Sequence, residues 1–363
     1  MRLGVEAAVI GGALVPGDVE VADGTVVSYA HARKRGRGIA VPGLVDLHVN
    51  GFGGVDFLSA DSGAYARAGQ ALLESGVTAF QPTFITASEP ELVAALAELA
   101  HASPGPRVLG AHLEGPFLSP ERLGIHPPEH RRDPDRALLE RLLAAGRVTH
   151  VTLAPELPGA PELVDLLLER GVTVSLGHSN ATAEEANAAF DRGVRTVTHL
   201  FNAMRPMRAR DPGLAGAALV RPDVVVQVII DGHHLAPETA LLVWRAAAGR
   251  VALVTDAGEG AGLGDGRYRI GSIEVEVLGG AARRDDGVLA GSVLSMIEAV
   301  RNLHALGVPL LDAVAAATAV PARVAGRADV GVLEAGGPAD LVVLDDRLEI
   351  VRVLCAGEAH VVA

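Results

Sequence analysis

Four residues carry chemistry that a packed core has little use for: Glu114 in "HLEGPF", His178 in "LGHSNA", His199 in "THLFNAM" and Asp256 in "VTDAGEG". Each closes a short apolar, β-branched run. Glu114, His178 and His199 offer one carboxylate and two imidazoles, an N2O ligand set that leaves a position for water, as in catalytic zinc sites. A single histidine ending an apolar run is more often a buried core residue. Three compatible donors ending neighbouring runs favour a metal instead. Asp256 would face them from across the site, where a carboxylate can take a proton from attacking water and hand it to a leaving group. Water on such a metal has its pKa lowered to about 7, so it is a usable nucleophile at neutral pH.

These residues are far apart in the chain, so the fold must bring them together. Eight runs recur: 44–48, 77–83, 107–114, 150–156, 172–178, 194–200, 224–231 and 251–257. Amphipathic stretches such as "EPELVAALAELAHA", "PELVDLLLERG", "TAEEANAAFDRG" and "APETALLVWRAAAG" separate them. Near-continuous apolar strands alternating with helices predict a parallel sheet covered on both faces. Eight such units make an α/β fold of the (β/α)8 TIM-like barrel type, with a doubly wound sheet as the competitor. A barrel gathers all eight strand ends onto one rim, where enzymes of this fold build their sites. The polar residues His48, Asn50, Gln81, Glu114, Glu156, His178, His199, Asp231, His233, His234 and Asp256 all fall at those ends.

The two ends of the chain read differently. Residues 1–40 and 329–363 are alternating and turn-punctuated, with Asp-Gly at a hairpin turn in "VEVADGTVV". They predict one small β-sandwich domain built from both termini, leaving 41–328 for the barrel. A β-hairpin insertion at about 267–290 would project near the rim.

The first run places His48 and Asn50 at i and i+2, on one side of a strand end. A second metal on such a rim calls for a His-x-His pair and a carboxylated lysine bridge. Asn50 is a weak neutral ligand, and the one lysine, Lys34, lies in the N-terminal segment. The sequence therefore predicts one divalent ion per subunit, with at most a weak second site at His48 and Asn50. Zinc suits the ligands best; iron and manganese use the same donor types.

Composition narrows the function. At 363 residues and 49% hydrophobic, the chain can bury a large core. A formal net charge of −13 argues against nucleic acid as a partner, and the short basic run 31–37 reads as a solvated loop. Cys355 is the single cysteine, which fits a reducing cytoplasm. No run of about 20 apolar residues predicts a membrane span, and the N-terminus lacks a clean signal-peptide pattern.

In order and spacing, "PGLVDLHVNGFGG", "HLEGPFLSPERLGIHPP", "LGHSNA", "THLFNAM", "DPGLAGA", "IIDGHH", "LVTDA" and "LAGS" resemble the N-acetylglucosamine-6-phosphate deacetylase family of the amidohydrolase superfamily, over nearly the whole chain. The resemblance implies hydrolysis of the acetamide of N-acetyl-D-glucosamine 6-phosphate. It implies metal ligation by Glu114, His178 and His199, acid/base catalysis by Asp256, and polarisation of the substrate carbonyl by His126. It further implies substrate contacts at Ile125, Asn202, Ala203, Leu289, Ala290 and Gly291. Arg210 and His234 would bind the phosphate, with Arg210 reaching a neighbouring subunit's ligand in a homodimer. Two other readings compete. One is an amidohydrolase for a cyclic amide or an N-acyl amino acid, which would not need the phosphate pair. The other is a catalytically dead sensor of amino-sugar phosphates, which would need a lost ligand or acid/base residue.

Overall fold

A computed structural model describes residues 1–31, 36–100 and 105–361; Lys34 and the middle of the basic run lie outside them. Eight strands form the barrel: β1 (Leu44–Val49), β2 (Val77–Ile85), β3 (Arg107–Val108 and Ala111–Glu114), β4 (Val148–Leu153), β5 (Thr173–Leu176), β6 (Thr196–Val197), β7 (Val225–Val228) and β8 (Val251–Leu253). Each pairs in parallel with the next, from β1 through β8. The ring closes just beyond β8. Val49 and Ala257 form a parallel bridge, and the Asn50 amide donates to the Ala257 carbonyl at 2.7 Å. Thr255 Oγ1 also donates to the buried Asp46 carboxylate of β1 at 2.6 Å.

The predicted helices follow the strands, among them Glu89–Leu99, Ala160–Glu169, Ala183–Arg192 and Pro237–Ala246. Their starts are written locally. Thr182 and Glu185 form a reciprocal capping box that satisfies free amides of the first turn. One apolar core joins the helices to the strands, with Leu72, Leu96, Leu139 and Leu167 packed on Leu47, Leu113, Leu153 and Leu253.

Five strands end earlier than the sequence pattern suggests, β4 among them, which stops at 153 rather than 156. β5, β6, β7 and β8 stop at 176, 197, 228 and 253, short of 178, 200, 231 and 257. The backbone turns left-handed at His178 (φ 47°), His199 (φ 29°) and Asp256 (φ 51°). Non-glycine residues enter that region only when their surroundings hold them there, commonly at active sites. Hydrogen-bonded pairing ends where the chemistry begins.

The insertion has three antiparallel strands rather than a hairpin's two: Gly266–Ile270, Ile273–Leu278 and Ala281–Arg283. This flap seats on the rim through Ile270, Val275 and Ala290, which pack on Ile85 and Ile125. Both termini contribute to a six-stranded sheet, in the order Ala13–Pro16, Ala7–Ile10, Ile39–Pro42, Leu341–Leu344, Ile350–Cys355, Glu358–Val361. The ribbon Asp18–Ala22/Thr25–His31 turns through Asp23 and Gly24, both at positive φ as a two-residue hairpin loop requires. A second core, including Val19, Val21, Val26, Leu341 and Leu354, completes this unit. Among the described residues no helix is long and apolar enough to cross a membrane.

Candidate active site

At the C-terminal rim, β3 ends on Glu114, while His178 and His199 follow β5 and β6. Their donor atoms converge. Glu114 Oε1 lies 3.1 Å from His178 Nε2 and 2.9 Å from His199 Nε2, and the two nitrogens are 3.1 Å apart. All three residues are buried. The tautomer of His178 is fixed, because its Nδ1–H donates to the Arg122 carbonyl at 2.9 Å. Its Nε2 lone pair therefore points at the other two donors, as metal-ligating histidines are set by a backbone acceptor. Donor separations near 3 Å are close to the edge, about 3.3 Å, of a tetrahedron with ligand distances of 2.0–2.1 Å. The donor set fits a divalent cation.

Glu114 is charged despite its burial. Desolvation would raise its pKa, but His48 and His178 outweigh it and hold the carboxyl well below the usual carboxylate range. Its second oxygen, Oε2, lies 3.4 Å from both His48 Nε2 and His126 Nε2.

His48 and Asn50 have separate tasks. Asn50 Nδ2 donates to Asp256 Oδ1 at 2.6 Å and so orients that carboxylate. His48 Nε2 sits 3.1 Å from the same oxygen, between two carboxylates. Its contacts lack hydrogen-bond alignment and act as charge pairing. Burial opposes a charge on His48, yet Glu114 and Asp256 prevail and raise its pKa well above the ordinary imidazole value. Asp256 stays below its ordinary pKa: burial pushes it up, and the nearby His48 outweighs that. Replacing Asn50 with Ala should lower kcat about 10- to 100-fold, the worth of a hydrogen bond to a charged group, with bound metal unchanged. Loss of metal from Asn50→Ala would instead make residue 50 a ligand.

His126 is oriented by a residue the sequence did not flag. The Thr86 backbone N–H donates to His126 Nδ1 at 3.2 Å. Because that amide can only donate, the neutral ring carries its proton on Nε2, facing Glu114. Burial above all pulls its pKa down to about 4, so it stays neutral near pH 7. His126 is thus a neutral N–H donor aimed into the site.

A cavity of about 450 Å³ opens over these groups. Its wall includes Glu114, Ile125, His126, His178, His199, Asn202, Ala203, His234, Asp256, Leu289 and Gly291 from the sequence-based set. Asn50 also reaches it. His48 lies just beneath, fully buried, and Ala290 sits behind the wall in the flap core. Gly291 touches Asp256: a Cβ there would come within 2.8 Å of the Asp256 carbonyl, so only glycine fits. Arg210 is exposed and outside the cavity. Glu156 takes a structural part, accepting from the Asn180 amide at 2.6 Å and Ser179 Oγ at 2.7 Å. Asp231 accepts from the His233 and His234 amides and from His234 Nδ1, the last at 2.7 Å. Sequence reading missed Arg283 and Val288, both cavity-lining. It also missed the polar barrel interior beneath the rim, where His112 bonds Thr83 and Thr152, and His150 bonds Gln81. Barrel interiors are normally filled by branched aliphatic residues.

Residues 39–360 match the model of the amidohydrolase family. The chain is 40% identical over 347 residues to the human N-acetylglucosamine-6-phosphate deacetylase, covering 90% of this chain and 84% of that one. It is 36% identical over 352 residues to the N-acetylgalactosamine-6-phosphate deacetylase of Escherichia coli O157:H7, covering 94% and 93%. Among solved structures, a variant of the Mycobacterium smegmatis N-acetyl-D-glucosamine-6-phosphate deacetylase in complex with N-acetyl-D-glucosamine-6-phosphate superposes with a TM-score of 0.94 at 36% identity, covering 99% of this chain and 98% of that one. The N-acetylglucosamine-6-phosphate deacetylase of Thermotoga maritima gives 0.91 at 32% identity, with 99% of each chain covered. A shared family model, relatives matched over most of their length and whole-chain superposition agree: the chain belongs to the amidohydrolase family, alongside the N-acetylglucosamine-6-phosphate deacetylases.

Proposed function

We propose that this enzyme hydrolyses the acetamide of N-acetyl-D-glucosamine 6-phosphate to D-glucosamine 6-phosphate and acetate. The observation that carries this reading is the convergence of Glu114, His178 and His199 opposite Asp256 in one cavity that also holds His126 and His234. A divalent metal held by the three ligands, most simply zinc, supplies Lewis-acid polarisation and a lowered water pKa.

The chain's own groups account for the proton movements. Asp256, oriented by Asn50 and charged, accepts a proton from the attacking water. The acetamide carbonyl oxygen gains negative charge as the C–O bond forms. His126 Nε2–H faces that side of the cavity and donates to it. Collapse of the tetrahedral intermediate breaks the C–N bond, and Asp256 returns the proton to the leaving amine. Asn202 and Ala203 line the wall where the sugar lies, and His234 takes part in phosphate binding. Replacing His126 with Gln should lower kcat on the order of 10²-fold with little change in KM, as for loss of one oxyanion donor. An effect confined to KM would reassign His126 to ground-state binding.

The exposed position of Arg210 suits a residue that serves a second copy of the chain, and we assign it to the partner's phosphate in a homodimer. We place the small domain at 1–40 and 329–363 and the barrel at 41–328. A second substrate reading is the C4 epimer, N-acetylgalactosamine 6-phosphate, favoured by the likeness to the Escherichia coli O157:H7 protein. The deciding assay measures kcat/KM on both phosphorylated sugars and on N-acetylglucosamine. A strong preference for the glucosamine phosphate supports the proposal; equal rates with and without phosphate would remove the phosphate assignment.

A further inference from the structure

The loop that follows β3 carries several pieces of the site at once. Between Ser119 and His126 it supplies the carbonyl that receives His178 Nδ1–H, the wall residue Ile125 and the neutral donor His126. Its backbone also packs on the ligand ring: a Cβ on Gly124 would lie 3.5 Å from His178 Cε1. A shift of this loop would therefore disturb His178 and His126 together.

A side chain beyond the end of β5 holds the loop in place. Arg122 Nε and one η nitrogen both donate to Asn180 Oδ1, at 3.1 and 2.9 Å. Arg122 thus gives its carbonyl to His178 and its guanidinium to the residue two places further on. Asn180 is tied in turn on its other sides. Its Nδ2 donates to Glu121 at 2.7 Å and its backbone N–H to Glu156 at 2.6 Å, while Arg205 donates to its carbonyl at 3.4 Å. One half-buried asparagine thereby joins the loops after β3, β4, β5 and β6. Neither Arg122 nor Asn180 lines the cavity, so neither touches the reacting atoms.

We infer that Asn180 is a positioning residue: by clasping Arg122 it fixes the carbonyl that sets the His178 tautomer, and through the same loop it fixes His126. A backbone carbonyl has no side chain of its own to steer it, and the Arg122 guanidinium is the handle by which this one is held. Partners that orient a metal-ligating histidine are worth about 10- to 100-fold in metal affinity or activity. The metal half of the inference stands on ligand geometry; the kinetic half rests on the deacetylase reading above.

The test compares Arg122→Ala, Asn180→Ala, the double variant, Arg122→Lys and the control Arg131→Ala in the full-length protein. Arg131 donates from Nε to the Leu118 carbonyl at 2.8 Å, so its loss loosens the start of the same loop and spares the clasp. Zinc affinity is read by chelator competition, without substrate, on protein shown to be folded by circular dichroism. Arg122→Ala and Asn180→Ala should each weaken zinc binding about 10- to 100-fold. Both break one contact, so the double variant should bind no more weakly than the poorer single variant. Arg122→Lys keeps a donor and should recover part of the loss, and Arg131→Ala should match the wild type. With zinc saturating, both single variants should still show kcat on N-acetylglucosamine 6-phosphate lowered about 10-fold, with KM within about twofold, because His126 is displaced. Wild-type zinc affinity in the single variants would overturn the inference, as would losses that add in the double variant or an equal loss in Arg131→Ala. Full kcat at saturating zinc would overturn the half concerning His126. If Asn180→Ala does not fold, Arg122→Ala and Arg122→Lys carry the test. Failure of the deacetylase reading looks different: the wild type would bind zinc and leave the phosphorylated sugar intact.

Discussion

Replacing Asp256 with Asn is expected to lower kcat on the order of 10³- to 10⁴-fold while leaving folding, metal content and KM nearly intact. The substitution keeps the side chain's shape. The new carbonyl oxygen can still accept from Asn50 Nδ2, which meets Asp256 Oδ1 at 2.6 Å in the native site. What is lost is a group that both takes a proton from water and returns it to the amine. A loss of that size corresponds to about 4–5.5 kcal/mol of transition-state stabilisation, at 1.36 kcal/mol per decade. The metal should remain, because Glu114, His178 and His199 are the group whose donor atoms converge to hold it, and Asp256 is not among them. Parallel loss of metal and activity would make Asp256 a ligand and require another acid/base. Metal quantification beside steady-state kinetics separates the two outcomes.

The second large effect is expected at the ligands. His199→Ala should remove most of the bound metal and reduce turnover to background, a loss of at least about 10⁴-fold, because both Lewis acidity and the lowered water pKa go with the ion. Glu114→Gln should act similarly, since it takes the single negative charge from the set. Added zinc should restore chelator-treated wild type but neither variant. Retention of one tight metal per chain in His199→Ala would place the ion elsewhere, for instance at His48 and Asn50.

The fold was legible because its period is simple. Eight apolar runs alternating with amphipathic stretches leave little choice but a covered parallel sheet, and polar residues at every run's end select the closed ring. Glu114, His178, His199 and Asp256 were readable for the same reason: each is a polar residue ending an apolar run. Two kinds of information lay elsewhere. Strand ends were overestimated at β4 to β8; at β5, β6 and β8 the backbone turns left-handed at His178, His199 and Asp256, beyond the last paired residue. Second-sphere partners were also hidden. Thr86 orients His126 through a backbone N–H, which leaves no mark in side-chain identity. Arg283 sits beside another arginine in a charged turn, and only three-dimensional pairing shows that Arg284 is neutralised while Arg283 is not. The pairing of Asn50 with Asp256, 206 positions apart, gives the first strand's departure from His-x-His a physical role.

The central claim is that one divalent ion, held by Glu114, His178 and His199, serves an acetamide hydrolase. The most direct measurement is an anomalous difference map from crystals of catalytically active enzyme, collected at the absorption edge of the metal found by elemental analysis. The account predicts one peak per chain, about 2 Å from Glu114 Oε1, His178 Nε2 and His199 Nε2. Active enzyme with no peak there, or with its peak centred on His48 and Asn50, would contradict it.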